Sequence, residues 1–287
     1  MVCITTSGRR VPAVLLSLLA YLLFAAAPAV RAASPVEGVW SFNGGRIAVQ
    51  ANEEGTFTGT VVAPTTFSLC SHTVGEEIWT RMASQPDGSF WGLHQWFFES
   101  SECVRNPALG QSAWRVFQNA GGRYLRACFS EPGSGLQPTI AADGSVANAT
   151  FGCVDSSLVA AVPDSDSAAL GRGVRLPASK TCFAHKAIRV RILDPRNDPI
   201  KKLEVSYRAG GASHRASVKR GPHGAVAIVP LGRIAAATLT VEVRLTTVLG
   251  HHWQGTRRYR RCASAKRHPL HVSRKPAAGR AGAGSGR

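Results

Sequence analysis

Acidic residues are scarce in this sequence. Its 287 residues hold 17 Asp and Glu against 34 Lys and Arg, a net charge of +17. Such an excess speaks to anionic partners and association rather than to fold. The seven cysteines include no C-x-x-C pair, which argues against a zinc knuckle and a thioredoxin-type redox site. H-E-x-x-H and G-x-S-x-G are both missing, so zincin and α/β-hydrolase chemistry lack their signatures. The 29 Gly and 16 Pro follow no period, which excludes collagen-like and repeat architectures. No segment after residue 32 reads as a membrane span, which needs about 20 apolar residues. What is present is apolar mass: 44 % aliphatic, aromatic and Cys residues. That is enough for packed cores and excludes a chain disordered throughout.

The N-terminus carries an address. Arg9-Arg10 precede an apolar run from Val14 to Ala27, and Val30-Arg31-Ala32 offers a small-residue cleavage site. Residues 1–32 are therefore expected to be a signal peptide, and the mature chain secreted, in the extracellular space or the cell envelope. Its removal takes Cys3 and leaves Cys70, Cys103, Cys128, Cys153, Cys182 and Cys262. An even count in an exported chain reads as three structural disulfides. Arg outnumbers Lys 27 to 7, which we read as a trace of a GC-rich bacterial coding sequence.

Charge divides the chain. Residues 33–160 carry 6 basic and 11 acidic side chains, residues 161–262 carry 19 and 6, and residues 263–287 carry 6 and none. This predicts a domain over 33–160, a linker over 161–181, a second domain over 182–262 and a disordered basic tail over 263–287.

The first domain reads as a succession of β-hairpins. Gly45–Gln50 and Thr56–Val62 flank Glu54-Gly55; Glu77–Met82 and Ser89–Phe98 flank Pro86-Asp87-Gly88. Ala113–Phe117 and Arg123–Phe129 flank Asn119–Gly122, and Thr139–Ala141 and Val146–Phe151 flank Asp143-Gly144. The glycines supply the positive φ that tight hairpins need. With Val39–Phe42 in front, about nine strands form a meander whose edges a closed antiparallel barrel would hide. The opening Gly38-Val39-Trp40 is similar to the G-x-W that starts lipocalin-like barrels. Trp91 and Trp96 fall on opposite faces of one strand, so a barrel cavity would make them candidates to hold a small apolar ligand. His72, Glu76 and His94 can be written as a two-His-plus-carboxylate set for an extracellular hydrolase. No helix would bring the first two together, however, and structural histidines are the expectation; no metal and no cofactor is expected.

The second domain alternates cleanly: Ile188, Val190 and Ile192 against Arg189 and Arg191, then Leu203, Val205 and Tyr207, then Leu239, Val241, Val243 and Leu245. This is the half-buried strand of a sandwich. The stretch Ala187–Pro195, the strand Leu239–Thr247 and the ending Thr256-Arg257-Arg258-Tyr259-Arg260-Arg261-Cys262 resemble the Ig-like β-sandwich modules of bacterial secreted and surface proteins. That resemblance implies display, spacing or binding rather than catalysis. The fold class is thus all-β, a meander barrel followed by an Ig-like sandwich.

Arg257, Arg258, Arg260 and Arg261 form the densest basic cluster and are candidates for binding an anionic cell-envelope polymer. Trp253 and Tyr259 alone interleave with the basic residues, too few for specific nucleic-acid recognition. The hairpins also order the cysteines. Cys70 and Cys103 lie outside the ends of the 77–98 hairpin, Cys128 and Cys153 outside the 139–151 hairpin, and Cys182 and Cys262 bracket the second domain, so each pair is expected to be bonded. The functional expectation is a non-catalytic binding protein, with a small-ligand carrier and a hydrolase as alternatives.

Overall fold

The computed structural model describes residues 33–67, 69–98, 102–163, 167–178, 187–232, 234 and 236–262. The chain divides into two compact units after Val162, and the described residues are almost entirely β.

The first unit is a closed antiparallel barrel. Its strands are β1 (Gly38–Phe42), β2 (Gly45–Ala51), β3 (Phe57–Ala63), β6 (Glu77–Ser84), β7 (Phe90–His94), β8 (Gly110–Asn119), β9 (Gly122–Phe129) and β12 (Gly152–Ala160). They neighbour in chain order, and β12 returns to pair with β1 through Val39↔Ala160 and Trp40↔Leu158. Closure removes the exposed edges that the meander would otherwise present. Two small hairpins branch from it: β4 (Thr65–Phe67) with β5 (Cys70–His72), and β10 (Thr139–Ile140) with β11 (Val146–Ala147). Asn43 and Gly44, at φ 43° and 82°, make the two-residue turn from β1 to β2 that only such residues adopt cheaply.

The turn chemistry predicts β2/β3, β6/β7 and β8/β9, and all three hairpins form. The 139–151 hairpin is shorter than its pattern suggests and stands outside the barrel. The closing strand, β12, has no counterpart in the sequence reading. Its register puts Ser156 in the row of Leu125 and Leu158 beside Trp40, and the polar Ser156 breaks the apolar stripe that marks a half-buried strand. The expected strand 89–98 stops at His94. The Gln95 amide instead donates to the Trp96 and Asn106 carbonyls at 2.9 Å each, so the alternation from Phe90 does not reach Phe98, which is exposed.

The barrel is filled by its own side chains. Trp40, Phe42, Phe57, Trp79, Phe90, Trp114 and Phe129 belong to one buried cluster with Ile47, Val49, Val61 and Leu125. Each such side chain contributes about 1.5–3 kcal/mol relative to exposure. Edge-to-face contacts, Phe42–Trp79 at 5.3 Å and Phe57–Phe90 at 5.5 Å, fix the ring orientations. The disulfides Cys70–Cys103 and Cys128–Cys153 are formed as expected. The second joins facing residues of β9 and β12.

The second unit packs two four-stranded antiparallel sheets, β13-β14-β18-β17 and β16-β15-β19-β20. These strands are β13 (Val174–Arg175), β14 (Ala187–Leu193), β15 (Ile200–Ala209), β16 (Ala212–Arg215), β17 (Ser217–Gly221), β18 (Gly224–Pro230), β19 (Thr238–Thr247) and β20 (His252–Arg260). Val190 and Ile192 from the first sheet and Val205, Val241, Val243 and Tyr259 from the second share one core. The stretch expected as a linker contains a short helix, α1 (Ser167–Gly173), followed by β13. Leu170 of that helix joins the core, and this burial outweighs the poor helix propensity of its glycines. Cys262 is disulfide-bonded; its expected partner, Cys182, lies outside the described residues, as do the signal segment and the basic tail.

Candidate functional site

One end of the barrel gathers three buried ionisable side chains, His72, Glu76 and His94. His72 ends β5, and the turn that follows passes through Gly75 at φ 91°. That turn carries Glu76 back under the imidazole, with His72 Nδ1 at 2.8 Å from Glu76 Oε1. Glu76 Oε2 accepts the Thr73 backbone N–H at 2.9 Å, and Arg105 ion-pairs with Oε1 from the rim. A helix is not needed to bring residues four apart together; this turn does it.

His94 ends β7 opposite Trp79. Its ring stands 6.0 Å from that of His72 at 86°, 4.1 Å from Phe67 and 4.6 Å from Phe129. Both imidazoles are completely buried. Burial lowers the pKa of His72 despite the opposing pull of Glu76, and it drives that of His94 well below the ordinary value, with the nearby His72 adding to the effect. Glu76 is pushed upward by burial, but hydrogen bonds from His72 and Thr73, with the charges of His72 and Arg105, leave it below the usual carboxylate range. The result is a buried carboxylate holding one imidazole beside another. Among the described residues, the remaining nitrogen of His72 and both nitrogens of His94 have no hydrogen-bond partner. Among the described residues no three His, Cys, Asp or Glu side chains gather as a metal-holding group.

Trp91 and Trp96 do not share a pocket. Trp91 is 39 % exposed, whereas Trp96 is buried. Trp96 packs on Phe67 at 5.1 Å and Phe151 at 4.7 Å as part of an aromatic cap over this end of the barrel. Its indole lies where Gly110 has no side chain: a Cβ there would collide with Nε1.

The basic candidates lie on β20 and its neighbours. Alternation sends Arg258 and Arg260 to the outer face, where both are exposed. Arg258 is opposite Thr240, which is in turn opposite Arg208 of β15. Arg208, Arg258 and Arg260 make no ion pair among the described residues, and they lie within a span of three strands spaced about 4.8 Å apart. The two acids on this face are already engaged: Glu204 by Lys202 at 3.2 Å and Glu242 by Arg244 at 2.7 Å. A groove of about 450 Å³ across the face is lined by Lys202, Arg208, Arg215 and Arg244 together with both glutamates. Arg257 points the other way, and its Nη1 donates to the Leu176 and Pro177 carbonyls at 2.8 and 3.0 Å. That bond commits it to structure. Arg261 is exposed, and its backbone N–H donates to the Ala237 carbonyl.

No protein-family model and no curated protein matches the chain.

The same alternation turns the two aromatics of β20 inward. Tyr259 is buried, with its hydroxyl donating to the Pro177 carbonyl at 3.1 Å. Trp253 is half-buried and lies against Gly171 and Gly255. Tyr259 offers no free ring face for base stacking. On the opposite sheet, Arg175 of β13 and Arg191 of β14 face each other directly, a like-charge pairing that weakens a sheet unless an anion screens it. Sequence reasoning grouped the basic residues by runs and so missed Arg208, which only the three-strand register brings beside Arg258.

Proposed function

We propose that this is a secreted, non-catalytic binding protein of the cell envelope whose second unit, an Ig-like module, binds an anionic polymer. One observation carries the reading: Arg208, Arg258 and Arg260 share an outer sheet face and have no acidic partner among the described residues, while the glutamates of that face are already paired. Leaving such charges unpaired gains nothing for folding and favours association with phosphate- or carboxylate-rich chains. The aromatic filling of the barrel and the outward turn of Trp91 support this reading over a carrier of an apolar ligand. The burial of His72 and His94 weighs against a hydrolase, because neither can touch a substrate from solution.

The test is binding of the full chain to long-chain polyphosphate at rising salt. Affinity should fall steeply as counterion release loses its drive, and the Arg208→Glu/Arg258→Glu/Arg260→Glu variant should bind roughly tenfold or more weakly at low salt. Salt-insensitive binding, or a variant that binds as the parent does, would overturn the proposal.

A further inference from the structure

The sheet across the sandwich core turns a different face outward. Alternation puts Val190 and Ile192 in the core and Arg189, Arg191 and Leu193 outside. The register then lays one row across four strands: Arg175 opposite Arg191, Arg191 opposite Val226, and Val226 opposite Lys219. In the next row Arg189 faces Ile228. Strands about 4.8 Å apart, with about 6.6 Å between alternate residues, bring the three arginines within about 10 Å of one another along the backbone. Their mutual repulsion weakens the sheet that carries them. The ion pairs described in this unit lie elsewhere, at Glu204, Glu242 and Asp198. Asp194, beside Leu193, accepts the Ile200 backbone N–H at 2.7 Å.

We propose that the outer face of β13, β14, β18 and β17 docks on a membrane surface rich in anionic phospholipid. The choice of partner follows from what lies between the charges. On the face assigned to the polymer, Thr240 and Glu242 stand among the arginines. Here the central strand offers Val226 and Ile228, both half-buried, and Leu193 beside them is 49 % exposed. A soluble polyanion needs only the charges. Cations set around aliphatic side chains fit the boundary of an anionic bilayer, where guanidinium groups meet headgroup phosphates while their stems and the aliphatic chains meet the apolar layer beneath. The lipid face goes beyond the polymer reading and does not depend on it, since the two sheets present separate residues on opposite sides of one core.

The experiment follows co-sedimentation with vesicles of phosphatidylcholine, alone or mixed with phosphatidylglycerol, at physiological salt. It uses residues 33–287, which hold every described strand, because the apolar run Val14–Ala27 would partition into lipid by itself. Binding should require phosphatidylglycerol. Arg189→Gln/Arg191→Gln should weaken it about 25-fold, roughly fivefold for each basic side chain removed, without lowering the thermal transition, because the repulsion is relieved. Leu193→Ser should weaken it about fivefold. Both variants should still hold polyphosphate nearly as the parent does. The Arg208→Glu/Arg258→Glu/Arg260→Glu variant should keep its vesicle binding, since charges on opposite faces are screened from each other at this salt, so the two faces fail separately. On the unaltered protein, vesicles should slow hydrogen exchange in β13, β14 and β17 but not in β19 or β20. No binding, equal binding without phosphatidylglycerol, or Leu193→Ser binding as the parent does would each overturn the assignment. So would protection centred on β20, or polyphosphate binding lost with Arg189→Gln/Arg191→Gln, which would give this face to a polymer instead.

Discussion

The contact between Gly59 and Trp79 is the tightest check on how the barrel is packed. A Cβ at Gly59 would lie 2.8 Å from Trp79 Cε3, 2.9 Å from Trp79 Cβ and 3.1 Å from Ile47 Cγ2. The indole has little room to shift, because it is fully buried and packs against Phe42 at 5.3 Å and Trp114 at 5.6 Å. Gly59→Ala should therefore destabilise the barrel by about 1–3 kcal/mol, the usual cost of overpacking. That loss exceeds the roughly 0.5–1 kcal/mol that alanine gains over glycine in an unstrained strand. Trp79→Ala alone should cost about 3–5 kcal/mol. Combined, the two changes should cost less than their sum by about 1–2 kcal/mol, since the new methyl then enters the space left by the indole. Urea unfolding followed by tryptophan fluorescence reads this cleanly, because five of the six tryptophans lie in the first unit and four survive the substitution. Strict additivity, or a stabilising Gly59→Ala, would refute the packing argument.

Three further outcomes are expected. Non-reducing peptide mapping should recover Cys70 with Cys103 and Cys128 with Cys153, and the Cys128→Ser/Cys153→Ser variant should lose up to about 3.5 kcal/mol by the chain-entropy estimate. Arg115, buried, donates from Nε to the Ile140 carbonyl and from Nη2 to the Asp87 carbonyl and carboxylate, all at 2.8 Å. Arg115→Ala should cost about 1.5–3 kcal/mol and speed amide exchange in the β10–β11 hairpin. Deleting residues 263–287, which carry six basic and no acidic side chains, should weaken polyphosphate binding while leaving the thermal transition unchanged.

Much of the barrel was legible because its hairpins are punctuated by Glu-Gly, Asp-Gly and Gly-Gly corners, whose positive φ is a local requirement. The strands of the sandwich were legible for a different reason: Ile188–Ile192 and Leu239–Leu245 alternate without a break. What escaped depended on long-range closure. β12 reads as polar because its buried position is Ser156, and nothing nearby says that β1 is waiting to pair with it. The helix at Ser167–Gly173 is too short to show a helical period in the sequence, and it is held because Leu170 finds a core. At the histidine site, the spacing of His72 and Glu76 was visible, but the turn that joins them was not. The approach of His94 depends on strands β6 and β7 being rolled into one barrel. On β20, alternation alone could have separated Arg258 and Arg260 from Arg257, whereas Arg208 needed the register across β19.

The most direct measurement of the central claim is a map of where a polyanion touches the chain. Hydrogen exchange and NMR shift changes on the full protein, with and without polyphosphate, should concentrate on the outer face of β15, β19 and β20, around Arg208, Glu242, Arg258 and Arg260. The barrel strands should be silent. Changes centred on the barrel, or spread evenly over every exposed lysine and arginine, would contradict a built anion-binding face.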